Sequence, residues 1–287
     1  MRSVFNLGLF KEQLREELSV FEFSFIKRVF TQSAFGFSVF GLLVCSLTAL
    51  IEAGQASSVF SHYGFGVLGG ILALFSGLAL MFYYLPKYHS NPLEVTPKFV
   101  KRAYFCLICT YGIVFCGLFK ALKLLAVLGD NKSFGWMSSS MLLGVGLFGT
   151  TLLVYAIPVL IGLGMKKHSS ALKLSRFLRT CYIAYLVLFL IGLVATLAVS
   201  SDSTYRMYNF LMVLLSGVII FTAPVLTVYR MKTVIKYLDQ TDMVAIKKWE
   251  LFFVFEALTQ LMQMAVYLVR LLCSLCAGSI YSSSSKD

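Results

Sequence analysis

Charged residues are scarce in this sequence. Asp, Glu, Lys and Arg together make up 13% of the 287 residues, about half of the ~25% that soluble globular domains carry. Hydrophobic residues make up 59%, the mean hydropathy is +0.83, and no long polar block interrupts the chain. This composition excludes a soluble domain and predicts a single membrane domain with short polar ends.

Histidine is also scarce, and the common catalytic motifs are missing. A zinc site needs four ligands, whereas the three histidines lie in separate loops and the seven cysteines lie in or beside apolar stretches, where they act as small packing residues. The sequence contains no P-loop, GxSxG, HExxH or EF-hand pattern. We therefore expect no enzyme activity, no cofactor and no resident metal.

The net charge of +12 is the one feature that is typical of nucleic-acid binding. Its placement argues against that function, because the basic excess falls in short loops between apolar stretches. Basic loops of this kind set the orientation of a membrane protein and contact anionic lipid head groups. We expect the lipid bilayer as a partner, and no nucleic acid.

Seven stretches are apolar enough to cross a bilayer whose core is ~30 Å thick. They cover residues 33–53, 63–85, 103–124, 136–164, 178–200, 207–229 and 251–277. The predicted fold is an all-α polytopic membrane protein with seven transmembrane helices, in which the last helix is central. Pro158 and Pro224 fall inside the fourth and sixth spans, where each removes a backbone hydrogen bond and predicts a kink.

The basic residues predict the orientation. Most of them lie in the N-terminal segment and in the second, fourth and sixth loops, which all fall on one side of the membrane. Because positive charge marks the cytoplasmic side, we expect a cytoplasmic N-terminus. Seven crossings place the C-terminus outside, and a seventh segment that does not fully cross would place it inside.

The remaining boundaries follow from charge and composition. Residues 1–30 are predicted to form a cytoplasmic amphipathic segment, 31–278 the transmembrane domain, and 279–287 a disordered tail. The charges scattered from Arg2 to Arg28 predict no removable signal peptide.

The last hydrophobic stretch carries a polar stripe. Its members are spaced by three or four residues, so they share one helix face; they are Glu256, Gln260, Gln263, Tyr267 and Arg270. Ionisable groups in a bilayer normally face a bundle interior or a water-filled cavity. The alternative is an amphipathic helix that lies flat on the membrane, but such a helix has a broad face rich in Lys and Arg.

Three basic residues belong to the candidate site, and two of them, Arg230 and Arg270, have a simpler role as an alternative. Arg230 ends the sixth span and is either a partner of Glu256 or an ordinary positive-inside flank. Lys87 follows the second span and is a second candidate partner. Arg270 is either part of the pathway or, like Lys120 and Lys123, an anchor at the membrane interface.

The sequence resembles the transmembrane Bax inhibitor motif family in three short motifs. FIKRVF at 25–30 is similar to the family's basic and aromatic entry to its first helix. GVIIF at 217–221, continued by TVY at 227–229, is similar to its sixth helix. QLMQ at 260–263, followed by VRLL at 269–272, is similar to its last helix. Together with the number and orientation of the spans, the resemblance covers about residues 22–275.

The resemblance implies a fold and a function. The family's last helix is surrounded by the other six, and its members are linked to a pH-sensitive calcium leak, to control of cell death or stress and, in bacteria, to modulation of a membrane-bound protease. The leak is attributed to two carboxylates that share a proton. Here Arg230 and Gln260 stand at those two positions, and Lys87 matches a basic residue of the second helix. We therefore expect an altered gate, in which an Arg230–Glu256 ion pair replaces the carboxylates.

Three functions remain open from the sequence. The first is a Bax inhibitor-like protein with a pH-sensitive leak of calcium or protons, or another role in ion homeostasis. The second is a non-conducting regulator of a membrane partner such as a protease, which would need small-residue faces for helix contact. The third is a secondary transporter of small solutes.

Overall fold

The computed structural model describes residues 19–54, 62–128, 140–198 and 202–284. Within these ranges the chain forms helices and short turns, without a strand. We number the α-helices as α1 (Val20–Gly54), α2 (His62–Ala79), α3 (Leu85–Ser90), α4 (Pro97–Leu128), α5 (Ser140–Gly164), α6 (His168–Ala198), α7 (Asp202–Lys236) and α8 (Met243–Ser284).

Seven stretches of the described residues are long and apolar enough to cross a membrane. They are Val20–Ala49, Gly69–Ser90, Pro97–Lys120, Leu142–Gly164, His168–Gly192, Tyr208–Lys236 and Met243–Cys273. Each overlaps one predicted span, so the prediction of an all-α polytopic membrane protein is confirmed. The buried share is 72% in the last stretch and no more than 44% in any other, as expected for a central last helix.

Both ends of the helical region differ from the sequence expectation. Helix α1 begins at Val20, and the side chain and backbone of Ser19 and Glu22 exchange hydrogen bonds of 2.9 and 3.2 Å. This reciprocal capping box fixes the helix start well before the predicted span. Residues 1–18 of the predicted amphipathic segment lie outside the described residues. At the other end, α8 continues to Ser284, into the stretch for which disorder is predicted.

A π-helical turn interrupts the second span. It covers Leu80–Tyr84 and leads into α3, where Pro86 occupies the first turn. Proline has no N–H to donate to the carbonyl four residues before it. In the turn just before Pro86, the N–H of Leu85 bonds the carbonyl of Leu80, five residues back, so this turn is wider than an α-helical one.

The chain divides into two compact units, which are residues 1–33 with 154–260, and residues 34–153 with 261–287. In the first unit α6 packs against α7, and aromatic rings join the beginnings of α1 and α8. The ring of Phe253 meets Phe25 edge-on at 6.4 Å and stacks on Trp249 at 5.6 Å. These contacts help to bury the first turns of α8 around Phe252 and Phe253.

The second unit has an aromatic core of its own. Helix α2 packs against α4, and the ring of Phe148 on α5 lies 5.1 Å from Phe37 on α1 and 5.4 Å from Phe115 on α4. Gly41 makes room for Phe148, because a Cβ atom there would come within 2.8 Å of the ring. Tilted and edge-on rings of this kind stabilise each other beyond their buried area.

A short turn sets the beginning of α8. The Asp242 carboxylate caps the helix by accepting from the N–H groups of Val244 and Ala245 at 3.1 and 2.9 Å. Just before it, the backbone N–H and then the hydroxyl of Thr241 hold the pKa of Asp239 below its usual range. The turn thereby fixes where α8 starts.

Candidate functional site

A chain of four polar side chains crosses the first unit inside the membrane domain. The hydroxyl of Tyr155 donates to Oε1 of Gln260 at 3.0 Å, and Nε2 of Gln260 donates to the hydroxyl oxygen of Thr227 at 2.7 Å. The hydroxyl of Thr227 in turn donates to Oε1 of Glu256 at 2.9 Å. Every donor in this polar chain points towards Glu256, and hydrogen bonds in series polarise and strengthen one another.

Helix geometry explains how the polar chain forms. Glu256 and Gln260 lie one turn apart on α8 and so project from the same face. Thr227 on α7 sits between them in space and bonds both, while Tyr155 on α5 reaches Gln260 from the other side. Tyr155, Thr227 and Gln260 are buried, so these polar groups need one another as partners.

Glu256 ends the polar chain with an unused oxygen. Its Oε1 accepts from Thr227, but its Oε2 is buried and has no hydrogen-bond partner among the described residues. A buried carboxylate oxygen without a donor is costly, and such groups mark places where a proton or a cation binds.

The predicted ion pair between Arg230 and Glu256 is wrong. The ion pair found among the described residues joins Arg28 to Glu250 at 3.9 Å, whereas the Arg230 guanidinium lies over the Phe252 ring at 5.2 Å. The physical reason is the position of each residue along its helix. Arg230 lies about one turn closer to the C-terminal end of α7 than Thr227, and it meets α8 at Phe252, one turn before Glu256.

The other half of the predicted stripe belongs to the second unit. Gln263 is exposed, and its side chain lies beside the Tyr111 side chain of α4. Tyr267 and Arg270 follow on the same face and are half-buried. Within the stripe predicted as one site, Gln260 is therefore buried and Gln263 exposed, while Glu256, Tyr267 and Arg270 are half-buried.

Lys87 also lies in the second unit. Its Nζ atom is 5.6 Å from the centres of both the Tyr83 and the Phe99 rings. A cation over an aromatic face is stabilised by the ring's negative face. The charge of Lys87 is therefore stabilised by the rings of Tyr83 and Phe99.

Sequence reasoning missed three residues of the first unit. Tyr155 gives no signal of its own in an apolar span, and Thr227 is recognisable only as a polar residue one helical turn after Pro224. The third is Lys232, which is buried and whose Nζ donates to the backbone carbonyls of Leu163 and Met165 at 2.8 and 3.2 Å. Lys232 thus caps the end of α5, a role that its place among the flanking basic residues concealed.

The described residues contain no group of three or more His, Cys, Asp or Glu that could hold a metal ion. The arrangement offers one carboxylate with hydroxyl and amide neighbours, which suits reversible binding of a proton or a passing cation rather than tight metal coordination. A comparison with models of known protein families gives no match, and a comparison with curated proteins gives none either.

Proposed function

We propose that this protein is a bacterial cytoplasmic-membrane protein with a cytoplasmic N-terminus, and that it passes cations in a pH-dependent manner controlled at Glu256. The resemblance to the Bax inhibitor motif family implies calcium as the permeant ion. In this proposal, proton binding at the free carboxylate oxygen changes the charge that a cation meets inside the membrane.

The unused Oε2 atom of Glu256 carries the proposal. An arginine partner would fix the carboxylate in its ionised form and cancel its charge. Since Arg230 lies over Phe252 instead, the charge of Glu256 depends on whether a proton or a cation is bound. The donors of Tyr155, Gln260 and Thr227 hold the carboxylate in place through Oε1 and leave Oε2 for that exchange.

The proposed gate differs from the two-carboxylate lock of the family that the chain resembles. One of the two gate positions holds Gln260, which cannot titrate and here relays hydrogen bonds between Tyr155 and Thr227. A single carboxylate binds one proton without a like-charged neighbour, so the pH dependence of flux should follow a simple one-proton curve.

Flux through proteoliposomes tests the proposal. The purified protein is reconstituted with a calcium indicator inside, and uptake is measured at mildly acidic and mildly alkaline pH for the wild type, Glu256→Gln and the control Glu250→Gln. Glu250 contacts Gln32 and Arg28, outside the polar chain. We expect pH-dependent uptake in the wild type and in the control, and uptake that no longer depends on pH in Glu256→Gln.

Two results would contradict the proposal. Equal pH dependence in Glu256→Gln would remove the gate from this residue. No uptake at either pH, from protein whose helical circular dichroism and monodisperse elution show that it is folded, would reject cation passage altogether.

The second candidate function is a non-conducting regulator of a membrane partner such as a protease. It is favoured by three glycines of the second unit, because a Cβ atom at Gly70, Gly117 or Gly149 would meet nothing within 4 Å. Open small-residue positions let another transmembrane helix approach closely. Absence of flux together with specific crosslinking of a partner at Gly70→Cys would select this function.

A further inference from the structure

The basic residues in the first turns of α6 have no acidic counterpart. Three of them, Lys173, Arg176 and Arg179, are exposed, and the sequence contains no Asp or Glu from residue 131 to residue 201. In the part of the chain that the structure describes, the ion pair found joins Arg28 to Glu250, and these three side chains take part in none. Their positive charge is therefore uncompensated there.

The other groups of basic residues are mixed with acids. Glu94 lies in the loop before α4, and Asp239 and Asp242 lie between α7 and α8. Arg28, near the beginning of α1, has Glu250 as its partner. The first turns of α6 differ from these groups because their charged residues are all basic.

The charges of α6 lie at the edge of a stretch that matches the hydrocarbon core in length. From Thr180 to the end of the helix at Ala198 the sequence carries no charged residue. This stretch is about 28 Å long at ~1.5 Å per residue, close to the ~30 Å thickness of the core. Arg176 and Arg179 therefore lie within about one turn of the core, at the level of the lipid phosphate groups.

An apolar strip continues from these charges along the same face of α6. Thr180, Ile183, Val187 and Leu190 follow Arg176 at spacings of four, three, four and three residues, so they share one helix face. The three apolar side chains are exposed by 58%, 47% and 53% in that order. This face thus combines a cationic end, which suits a phosphate group, with an apolar surface, which suits an acyl chain.

We propose that this face of α6 retains one phospholipid whose head group carries more than one negative charge. Arg176 and Arg179 bind its phosphate groups, Lys173 adds a third positive charge, and an acyl chain lies along the strip from Ile183 to Leu190. A guanidinium suits this role because it can donate two parallel hydrogen bonds to one phosphate.

The proposed site differs from an ordinary basic flank, which attracts any anionic lipid through its net charge. Here the cations are uncompensated, share a strip with exposed apolar side chains and favour one class of lipid. The site does not depend on cation passage at Glu256.

Native mass spectrometry tests the site by measuring the lipid-bound fraction of the purified protein. The protein is titrated in detergent with diphosphatidylglycerol, which has two phosphate groups, with phosphatidylglycerol, which has one, and with zwitterionic phosphatidylcholine. Arg176→Gln/Arg179→Gln is compared with the control Lys101→Gln/Arg102→Gln. The control removes the same charge from two exposed positions of α4. Arg179→Gln alone replaces the double variant if the latter does not fold.

We expect the wild type to prefer the two-phosphate lipid over phosphatidylcholine by at least about ten-fold. A basic residue near an anionic surface contributes about five-fold to affinity, so loss of both arginines should weaken binding by at least about ten-fold, and loss of Arg179 alone by about five-fold. The control should change binding by less than about two-fold, because it leaves the strip of α6 intact.

Four results would overturn the proposal. Equal weakening in the control would mean that net charge alone attracts the lipid. Equal binding of phosphatidylcholine would mean that the face does not recognise charge, and equal binding of phosphatidylglycerol would remove the need for a second negative charge. Displacement of the lipid by millimolar inorganic phosphate, at constant ionic strength, would mean that the arginines take free phosphate rather than lipid.

Discussion

The hydroxyl of Thr227 donates to Glu256 across 2.9 Å while its oxygen accepts from Gln260 across 2.7 Å. One small side chain on α7 thus holds two polar residues of α8 in place. Without it, the buried carboxylate would lose the one hydrogen bond that the structure gives it, and Nε2 of Gln260 would lose its acceptor.

Replacing Thr227 should therefore weaken the fold. We expect Thr227→Val, which keeps the shape and removes the hydroxyl, to lower the free energy of unfolding by about 1–3 kcal/mol, because it leaves buried polar groups unpaired. Thr227→Ser keeps the hydroxyl and should cost less. Unfolding in a mixed-detergent titration measures both. A loss in Thr227→Ser that equals or exceeds the loss in Thr227→Val would contradict this role of the hydroxyl.

Lys232 should stabilise the end of α5. Its Nζ donates to the carbonyls of Leu163 and Met165, and Lys232→Met keeps most of the side-chain volume without the donors. We expect Lys232→Met to lower the melting temperature clearly, through a loss of about 1–3 kcal/mol. Lys236→Met, at an exposed position of the same helix, should leave it unchanged. Similar behaviour of the two variants would contradict the cap.

Gly162 should not tolerate a side chain. A Cβ atom there would lie 2.8 Å from both the carbonyl oxygen and the side chain of α7, at Val225 and Val228. Because backbone cannot move aside cheaply, Gly162→Ala should cost about 1–3 kcal/mol. Gly149→Ala is the matched control, since nothing lies within 4 Å of its Cβ position. A stability loss at residue 149 as large as at residue 162 would show that glycine matters for another reason.

The ion pair between Arg28 and Glu250 should contribute little. The two groups are 3.9 Å apart and the Arg28 side chain is 48% exposed, so solvent screens the attraction. We expect Arg28→Gln to change the free energy of unfolding by less than about 1 kcal/mol. The same small change should appear at low and high salt. A large loss that disappears at high salt would reveal a stronger electrostatic role than the geometry indicates.

The spans could be predicted from the sequence because bilayer thickness and apolar length determine them. The polar stripe on α8 was also recognisable, since its spacing of three and four residues is a property of the helix itself. The partners of the stripe were not, because they depend on how α5 and α7 are placed beside α8. Charge alone favoured Arg230 for Glu256, whereas the packing of α7 presents Thr227 at that level.

The same limit applies to Lys232 and Gln263. Sequence position makes Lys232 one of several basic residues at a membrane edge, and only the end of α5 beside it gives it acceptors. Gln263 and Gln260 belong to one stripe in the sequence, yet one is exposed and the other buried. Burial on a helix face is decided by its neighbours, which periodicity does not specify.

The contact at Gly162 lies close to a proline in each of the two helices that it connects. Pro158 lies one turn before Gly162 on α5, and Pro224 directly precedes Val225 on α7. Neither proline donates to the carbonyl four residues before it, so both helices lack a backbone hydrogen bond within about one turn of this contact.

The polar chain connects residues that lie about one turn from these two prolines. Tyr155 precedes the proline of α5 and Thr227 follows the proline of α7, and both bond Gln260. Two helices that each contain a proline are thus joined to α8 by side chains. The hydrogen bonds that end at Glu256 therefore depend on how α5 and α7 are placed beside α8.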